Sequence, residues 1–373
     1  MAGSLHQDKS TKKWFYVLEL GRDELGRRKQ KKKGGFKTKT EAKLALAQAE
    51  VELSEGTFIE PSKTTLNAYM EEWLQERKYS VRESTLNSNM SYFNTYIKPT
   101  IGNVKLEDLN PMHIQRLVNQ MINEMDRSPA TVNKMLNILG VCLKKAKKFK
   151  LIRENPVSLV DRPKQEKVIT EVWDADQINE FIQKAKSRYH YVGYLLGLTA
   201  GLRKGEILGL TWKNVDLENG VISIQQSLAP SGKKFERGKT KSSIRSVILP
   251  KIAIDELKKH YDEYLQLKSQ KGDKWNALDL VVYSRKGTPV DHKNFWRGFK
   301  QAAQQVGLPE IRFHDTRHSH STLLLKKNVH PKLVQERLGH SRITITLDTY
   351  SHVLPSMQKE VADTLDSILE TSN

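Results

Sequence analysis

Near the start of the chain an unbroken apolar run gives way to hydrophobic positions that recur at helical spacing. Trp14-Phe15-Tyr16-Val17-Leu18 reads as a short strand. Gly21 to Gly26 reads as the turn into a second strand carrying Arg27, Arg28, Lys29, Lys31, Lys32 and Lys33. A third strand is expected through Phe36. Thr38 and Glu41 then form a T-x-x-E capping box, and Ala42, Ala45, Leu46, Ala49 and Leu53 recur on one face of the helix it opens. Residues 1–60 are thus expected to form a three-stranded sheet backed by one helix. The basic strand suits insertion along a DNA groove; a solvated edge strand blunted by lysines is the plainer alternative.

Beyond Glu60-Pro61-Ser62 the pattern turns helical, with Leu66, Tyr69, Met70, Trp73 and Leu74 spaced as a buried stripe. Asn110-Pro111 and Ser128-Pro129 each set a capping side chain before a proline, whose missing N–H costs nothing in the first turn. In the helix from Pro129 the predicted stripe is Val132, Met135, Leu136, Leu139, Cys142, Leu143, Ala146 and Phe149. Lys144, Lys145, Lys147 and Lys148 crowd its end, where they complement the helix dipole and are also candidates for phosphate contact. Residues 62–157 therefore read as a helical, basic domain of four helices. The polar stretch Asp161 to Lys167 reads as a linker, and Asp174 with Gln177 caps the first helix of a third domain, residues 168–373. There, Val221-Ile222-Ser223-Ile224 and Ser246-Val247-Ile248-Leu249 are strand candidates around a Gly/Lys/Ser-rich loop, and helical spacing dominates the remainder. The fold class is multidomain α+β, mainly helical with small sheets.

Charge narrows the partners. Lys and Arg number 62 against 43 Asp and Glu, a formal +19, and the excess is spread along the whole chain: 13 basic against 9 acidic residues over 1–60, 15 against 9 over 61–160 and 34 against 25 over 161–373. Several surfaces touching one long polyanion fit this distribution, because each neutralised phosphate releases counterions. The one cysteine, Cys142, can form neither an internal disulfide nor a thiolate metal cluster. With neither an apolar leader nor a run long enough to span a bilayer, a cytoplasmic protein with no membrane partner is expected.

Candidate chemistry lies in the third domain. In Thr199-Ala200-Gly201-Leu202-Arg203 a helix breaks at Gly201 and another opens, with Glu206 three residues after Arg203. A guanidinium at such a turn can fork onto two phosphate oxygens with Glu206 orienting it, or form an ordinary surface ion pair. Phe313-His314-Asp315-Thr316-Arg317 precedes a helical run and brings His314 and Arg317 onto one face as two phosphate-directed donors. His314, Asp315, His318 and His320 also permit a metal-site reading, which would make the protein a nuclease. Leu338-Gly339-His340-Ser341 is followed ten residues after the histidine by Tyr350.

This ordered set, T-A-G-L-R, a hairpin lysine, H-x-x-R, L-G-H-S and a late tyrosine, resembles the tyrosine recombinases, in particular integrases of temperate phages and integrative conjugative elements. The resemblance extends over nearly the whole chain. It implies an arm-type DNA-binding domain (1–60), a SAM-like core-binding domain (62–157) and a catalytic domain (168–373) that integrates and excises a mobile element. By motif, Arg203, His314, Arg317 and His340 take the family's catalytic positions, Tyr350 the nucleophile's and Glu206 the supporting acid's. Gly238-Lys239-Thr240-Lys241-Ser242-Ser243-Ile244-Arg245 resembles the family hairpin; Lys239 is assigned as the catalytic lysine, with Lys241 the alternative.

The resemblance further implies double-stranded DNA with core-type and arm-type sites as partner and a 3′-phosphotyrosine and Holliday-junction route without metal, ATP or cofactor. It also implies a homotetramer joined by a C-terminal tail helix (Val361, Leu365, Ile368, Leu369), a host DNA-bending protein, an excisionase, and a place at the bacterial nucleoid. A type IB topoisomerase and a non-catalytic DNA-binding regulator are the alternatives.

Overall fold

The computed structural model describes residues 3–22, 26–55, 63–166, 171–238, 244–275 and 278–350, together with 362–363, 365–367 and 369. The chain divides into two compact units, Met1–Lys167 and Val168–Asn373.

In the first unit, β1 (Ser4–Gln7), β2 (Trp14–Arg22) and β3 (Arg28–Phe36) form an antiparallel sheet in the order β1-β2-β3. The expected third strand through Phe36 is a correction: Phe36 ends β3, and the remaining strand comes first in the chain. Tyr16 and Leu18 of β2 are buried with Leu46 and Ala49 of helix α1 (Lys39–Ser54). Thr38 Oγ1 accepts from the Glu41 amide at 3.1 Å, but Glu41 turns its carboxylate to the Lys37 amide instead of completing the box with Thr38. Strand alternation splits the basic run. Lys31 and Lys33 pair with Leu18 and Tyr16, the positions facing α1, whereas Lys32 pairs with Val17 on the other face. There its ammonium stands 3.6 Å from the Phe15 ring centroid. Arg28 pairs with Glu19 at 2.9 Å, and Arg27 lies just ahead of β3.

Helices follow as α2 (Leu66–Arg77), α3 (Glu83–Tyr92), α4 (Lys98–Ile101), α5 (Pro111–Asn123) and α6 (Pro129–Lys148). A π-helical turn, Phe93–Ile97, joins α3 to α4, so the four-helix expectation is met by α2, the continuous α3–α4 stretch, α5 and α6. Both Asx/Ser-Pro starts cap as read: Asn110 Oδ1 accepts from the amides of Met112 and His113, and Ser128 Oγ from Thr131. The predicted α6 stripe is buried with one exception. Phe149 caps the helix and is exposed, with Lys145 beside its ring. Lys145 also pairs with Glu76, whereas Lys144, Lys147 and Lys148 are exposed.

The second unit opens with α7 (Ala175–Lys184), whose Asp174–Gln177 capping box is complete, and α8 (Tyr191–Ala200), which is buried nearly all round. α9 (Lys204–Leu208) follows. The strands are β4 (Val215–Asp216), β5 (Val221–Ile224), β6 (Gln226–Leu228), β7 (Phe235–Arg237) and β8 (Arg245–Ile248). They form a β4-β5-β8 sheet and a β6-β7 hairpin. α10 (Lys251–Lys271), α11 (His292–Val306), α12 (Asp315–Lys326), α13 (Pro331–Leu338) and α14 (Ile343–Tyr350) complete the order. Trp173, Phe181, Tyr194, Phe295, Phe299 and Phe313 interlock at ring separations of 4.9–6.3 Å, a rigid aromatic floor beneath α8 and the start of α12.

Candidate active site

Three chain turns converge where α8 ends, α12 begins and α13 ends. α8 stops because Gly201 adopts φ +64°, a left-handed conformation; a Cβ there would lie 2.8 Å from His320 Cδ2 and from a Leu338 methyl. α13 stops the same way at Gly339, φ +66°. These two glycine turns present Arg203 and His340.

Arg203 is the N-cap of α9. Its amide donates to Glu206 Oε2 at 2.9 Å, its Nη1 to Glu206 Oε1 at 2.8 Å, and its Nη2 to the Gly339 carbonyl at 3.3 Å. The side chain stays 37% exposed over a carboxylate that is 6% exposed, so this is no ordinary surface pair. Burial raises the Glu206 pKa, but the Arg245 and Arg203 guanidiniums more than offset it, and the carboxyl sits below its usual range.

Arg317 is 2% exposed. Its Nη1 donates to the Gly201 carbonyl at 2.7 Å and its Nη2 to the Leu338 carbonyl at 2.5 Å, tying both glycine turns to α12. His314 lies at the exposed start of α12, its ring edge-on to His318 at 5.0 Å between centroids. Desolvation, then His318, Arg317 and Arg203, push it down to about 4. His340 is driven to about 3 by desolvation and then by Arg317 and Arg203. Its Nδ1 lies 2.9 Å from Oγ1 of the buried Thr346. With the hydroxyl donating to Nδ1, the neutral ring keeps its Nε2–H as a donor.

Arg203, His314, Arg317 and His340 are therefore brought together, with Glu206 beneath. Lys239 and Lys241 lie outside the described residues. Tyr350 is the last residue of α14, one helical turn beyond Thr346; its side chain is not among those described. The metal reading fails on partners: Asp315 is gripped by Arg312 through both oxygens at 2.9 Å. His320 faces the Leu198 carbonyl at 2.9 Å and accepts from Arg337 Nε at 3.1 Å. Three participants were not singled out from sequence: Arg245, Arg337 and Thr346. The first two stand inside motifs that were quoted or adjoined, the final arginine of the hairpin and the residue before Leu338.

The Phage integrase family matches residues 171–357, the Phage integrase N-terminal SAM-like domain residues 65–122, and the Arm DNA-binding domain residues 4–53. A tyrosine recombinase XerC-like protein of Caldanaerobacter subterraneus subsp. tengcongensis is 28% identical, over 99% of this chain and 100% of its own. The ICEBs1 integrase of Bacillus subtilis is 28% identical, over 69% of this chain and 72% of its own. In fold, the chain is similar to a Tn1549 transposon integrase in complex with a circular intermediate DNA (TM-score 0.67, 19% identity, 80% of this chain and 99% of that one). It is likewise similar to a lambda integrase tetramer bound to a Holliday junction (TM-score 0.59, 21% identity, 91% and 96%). Among the described residues, no helix is long and apolar enough to cross a membrane. With half its length under one family model, the chain belongs to the phage integrase family of tyrosine recombinases, which are site-specific DNA recombinases.

Proposed function

We propose that this recombinase integrates and excises a mobile element by capturing one DNA strand on Tyr350. The observation that carries the reading is the grouping of Arg203, His314 and His340 around the buried Arg317, with Tyr350 at the end of the helix that holds Thr346 against His340.

A phosphodiester is anionic and repels nucleophiles, so attack needs positive donors on its non-bridging oxygens. Arg203 and Arg317 carry permanent charge, and neutral His340 offers Nε2–H. The Tyr350 oxygen forms a bond to phosphorus while the bond from phosphorus to the 5′-oxygen breaks. The phenolic proton passes to His314, whose low pKa keeps it unprotonated in the free protein and is pushed back up by the incoming phosphate charge. The departing 5′-oxygen takes a proton from Lys239. The phosphate ester is conserved as a 3′-phosphotyrosine, so a 5′-hydroxyl from a second duplex can reseal it without ATP. Two such exchanges through a Holliday junction recombine the sites.

Residues 1–60 serve as the arm-type domain, with DNA running along β3, whose basic residues are divided between its two faces, and 62–157 as the core-binding domain, with Lys144, Lys147 and Lys148 toward phosphate. The tail around Leu365 and Leu369, which are 53% and 67% exposed, docks on a neighbouring copy in a tetramer. A host bending protein and an excisionase complete the assembly in the bacterial cytoplasm. A nicked duplex carrying the core site, incubated in EDTA, should trap the protein covalently, and Tyr350→Phe should not. Loss of activity in EDTA would favour a metal nuclease, and relaxation without exchange a topoisomerase.

A further inference from the structure

Glu206 is held by two arginines, and one of them has no place in the reaction described above. Arg245 opens β8. Its Nη1 and Nη2 donate to the two Glu206 oxygens at 3.1 and 3.0 Å, and its Nε donates to the Arg337 carbonyl at 2.8 Å. At 7% side-chain exposure, it spends each of its three nitrogens on Glu206 and Arg337. The carbonyl it uses is itself anchored. Arg337 Nη1 donates to Ile248 at 3.0 Å, Nη2 to Thr199 at 3.1 Å, and Nε to the neutral ring of His320 at 3.1 Å. Arg245 thus carries the rigidity of β8, α8 and α13 onto one carboxylate.

That carboxylate aims Arg203. Oε1 receives both Arg203 Nη1 and Arg245 Nη1, and Oε2 receives the Arg203 amide and Arg245 Nη2. Rotating the carboxylate moves the acceptor of the half-exposed guanidinium, which has one further anchor, the 3.3 Å bond to Gly339. We propose that Arg245 is a positioning residue for strand cleavage: its fork onto Glu206 sets the orientation in which Arg203 meets the scissile phosphate. This rests on the assignment of Arg203 made above. A lysine at 245 keeps the charge and loses the fork, which separates orientation from mere neutralisation of a buried acid.

The test uses the full chain with a nicked core-site duplex that traps the cleaved product. Single-turnover cleavage is measured at saturating protein for Arg245→Lys, Arg203→Lys and the double variant, alongside DNA affinity and thermal unfolding. Arg245→Lys should slow cleavage roughly 10- to 100-fold with affinity changed less than about twofold, and should add less than about threefold when Arg203 is already lysine. Equal losses in both backgrounds, or a wild-type rate for Arg245→Lys, would overturn the proposal. Should the lysine variant not fold, Glu206→Gln with Arg245→Met removes the buried charge with its partner and is read in the same two backgrounds. A wild-type rate for Arg203→Lys alone would instead remove the Arg203 assignment, and the proposal with it.

Discussion

Replacing Arg317 by lysine should damage stability and, on the proposed mechanism, chemistry together. Arg317 is 2% exposed and bridges the carbonyls of Gly201 and Leu338, the two turns that present Arg203 and His340. A single ammonium cannot hold both carbonyls in that geometry. One charge-assisted bond is lost and one buried carbonyl is left unsatisfied, a cost of about 2–4 kcal/mol. At about 2–4 °C per kcal/mol for a unit near 200 residues, the melting temperature of the catalytic unit should fall by roughly 5–15 °C. Cleavage, measured under single turnover at a temperature where the variant is folded, should drop about 100- to 1,000-fold, the usual cost of one oriented donor on a developing oxyanion. Calorimetry and the nicked-duplex assay read the two effects separately. A variant that melts with the wild type and cleaves within a few-fold of it would refute the bridging role.

Three further outcomes follow from the same geometry. Gly201→Ala forces a Cβ into a left-handed turn 2.8 Å from His320 and Leu338, and should lower the melting temperature and slow cleavage more than it weakens DNA binding. The free protein should lose stability as pH falls: His320 and His340 are held near 3 and His314 near 4, below the unfolded value of about 6.5, so the unfolded chain takes up protons first. Their contribution is complete above about pH 6.5 and is lost toward 3–4. Buried His320 alone accounts for about 2 kcal/mol between pH 6.5 and 5, and a flat unfolding free energy across that window would contradict the assignment. Deleting residues 356–373 should abolish recombination while sparing DNA binding, whereas unchanged recombination would reject tail docking.

Helix starts were legible where a capping side chain met a proline or a capping box, as at Asn110-Pro111, Ser128-Pro129 and Asp174–Gln177, because these signals are local. Among the short strands, Val221–Ile224 was read at its bounds and β8 within one residue, but others were not. Ser4–Gln7 offers one apolar residue, and β6 and β7 are three residues each, so neither shows an alternation long enough to read; pairing with β2, or with each other, makes them strands. Phe149 has the right spacing for the α6 stripe, but the helix ends beneath it and Lys145 takes the ring. In the site, motif order marked Arg203, His314, Arg317 and His340. Arg245 and Arg337 escaped because their acceptors lie 17 to 138 residues away in sequence, where no local spacing points.

After cleavage of a nicked core-site duplex in EDTA, the trapped complex is digested with protease and nuclease, and the residual peptide is sequenced by mass spectrometry. A nucleotide 3′-phosphate esterified to the phenolic oxygen of Tyr350 is the expected product. An adduct on any other side chain, or cleaved DNA bearing no peptide, would contradict Tyr350 as the nucleophile.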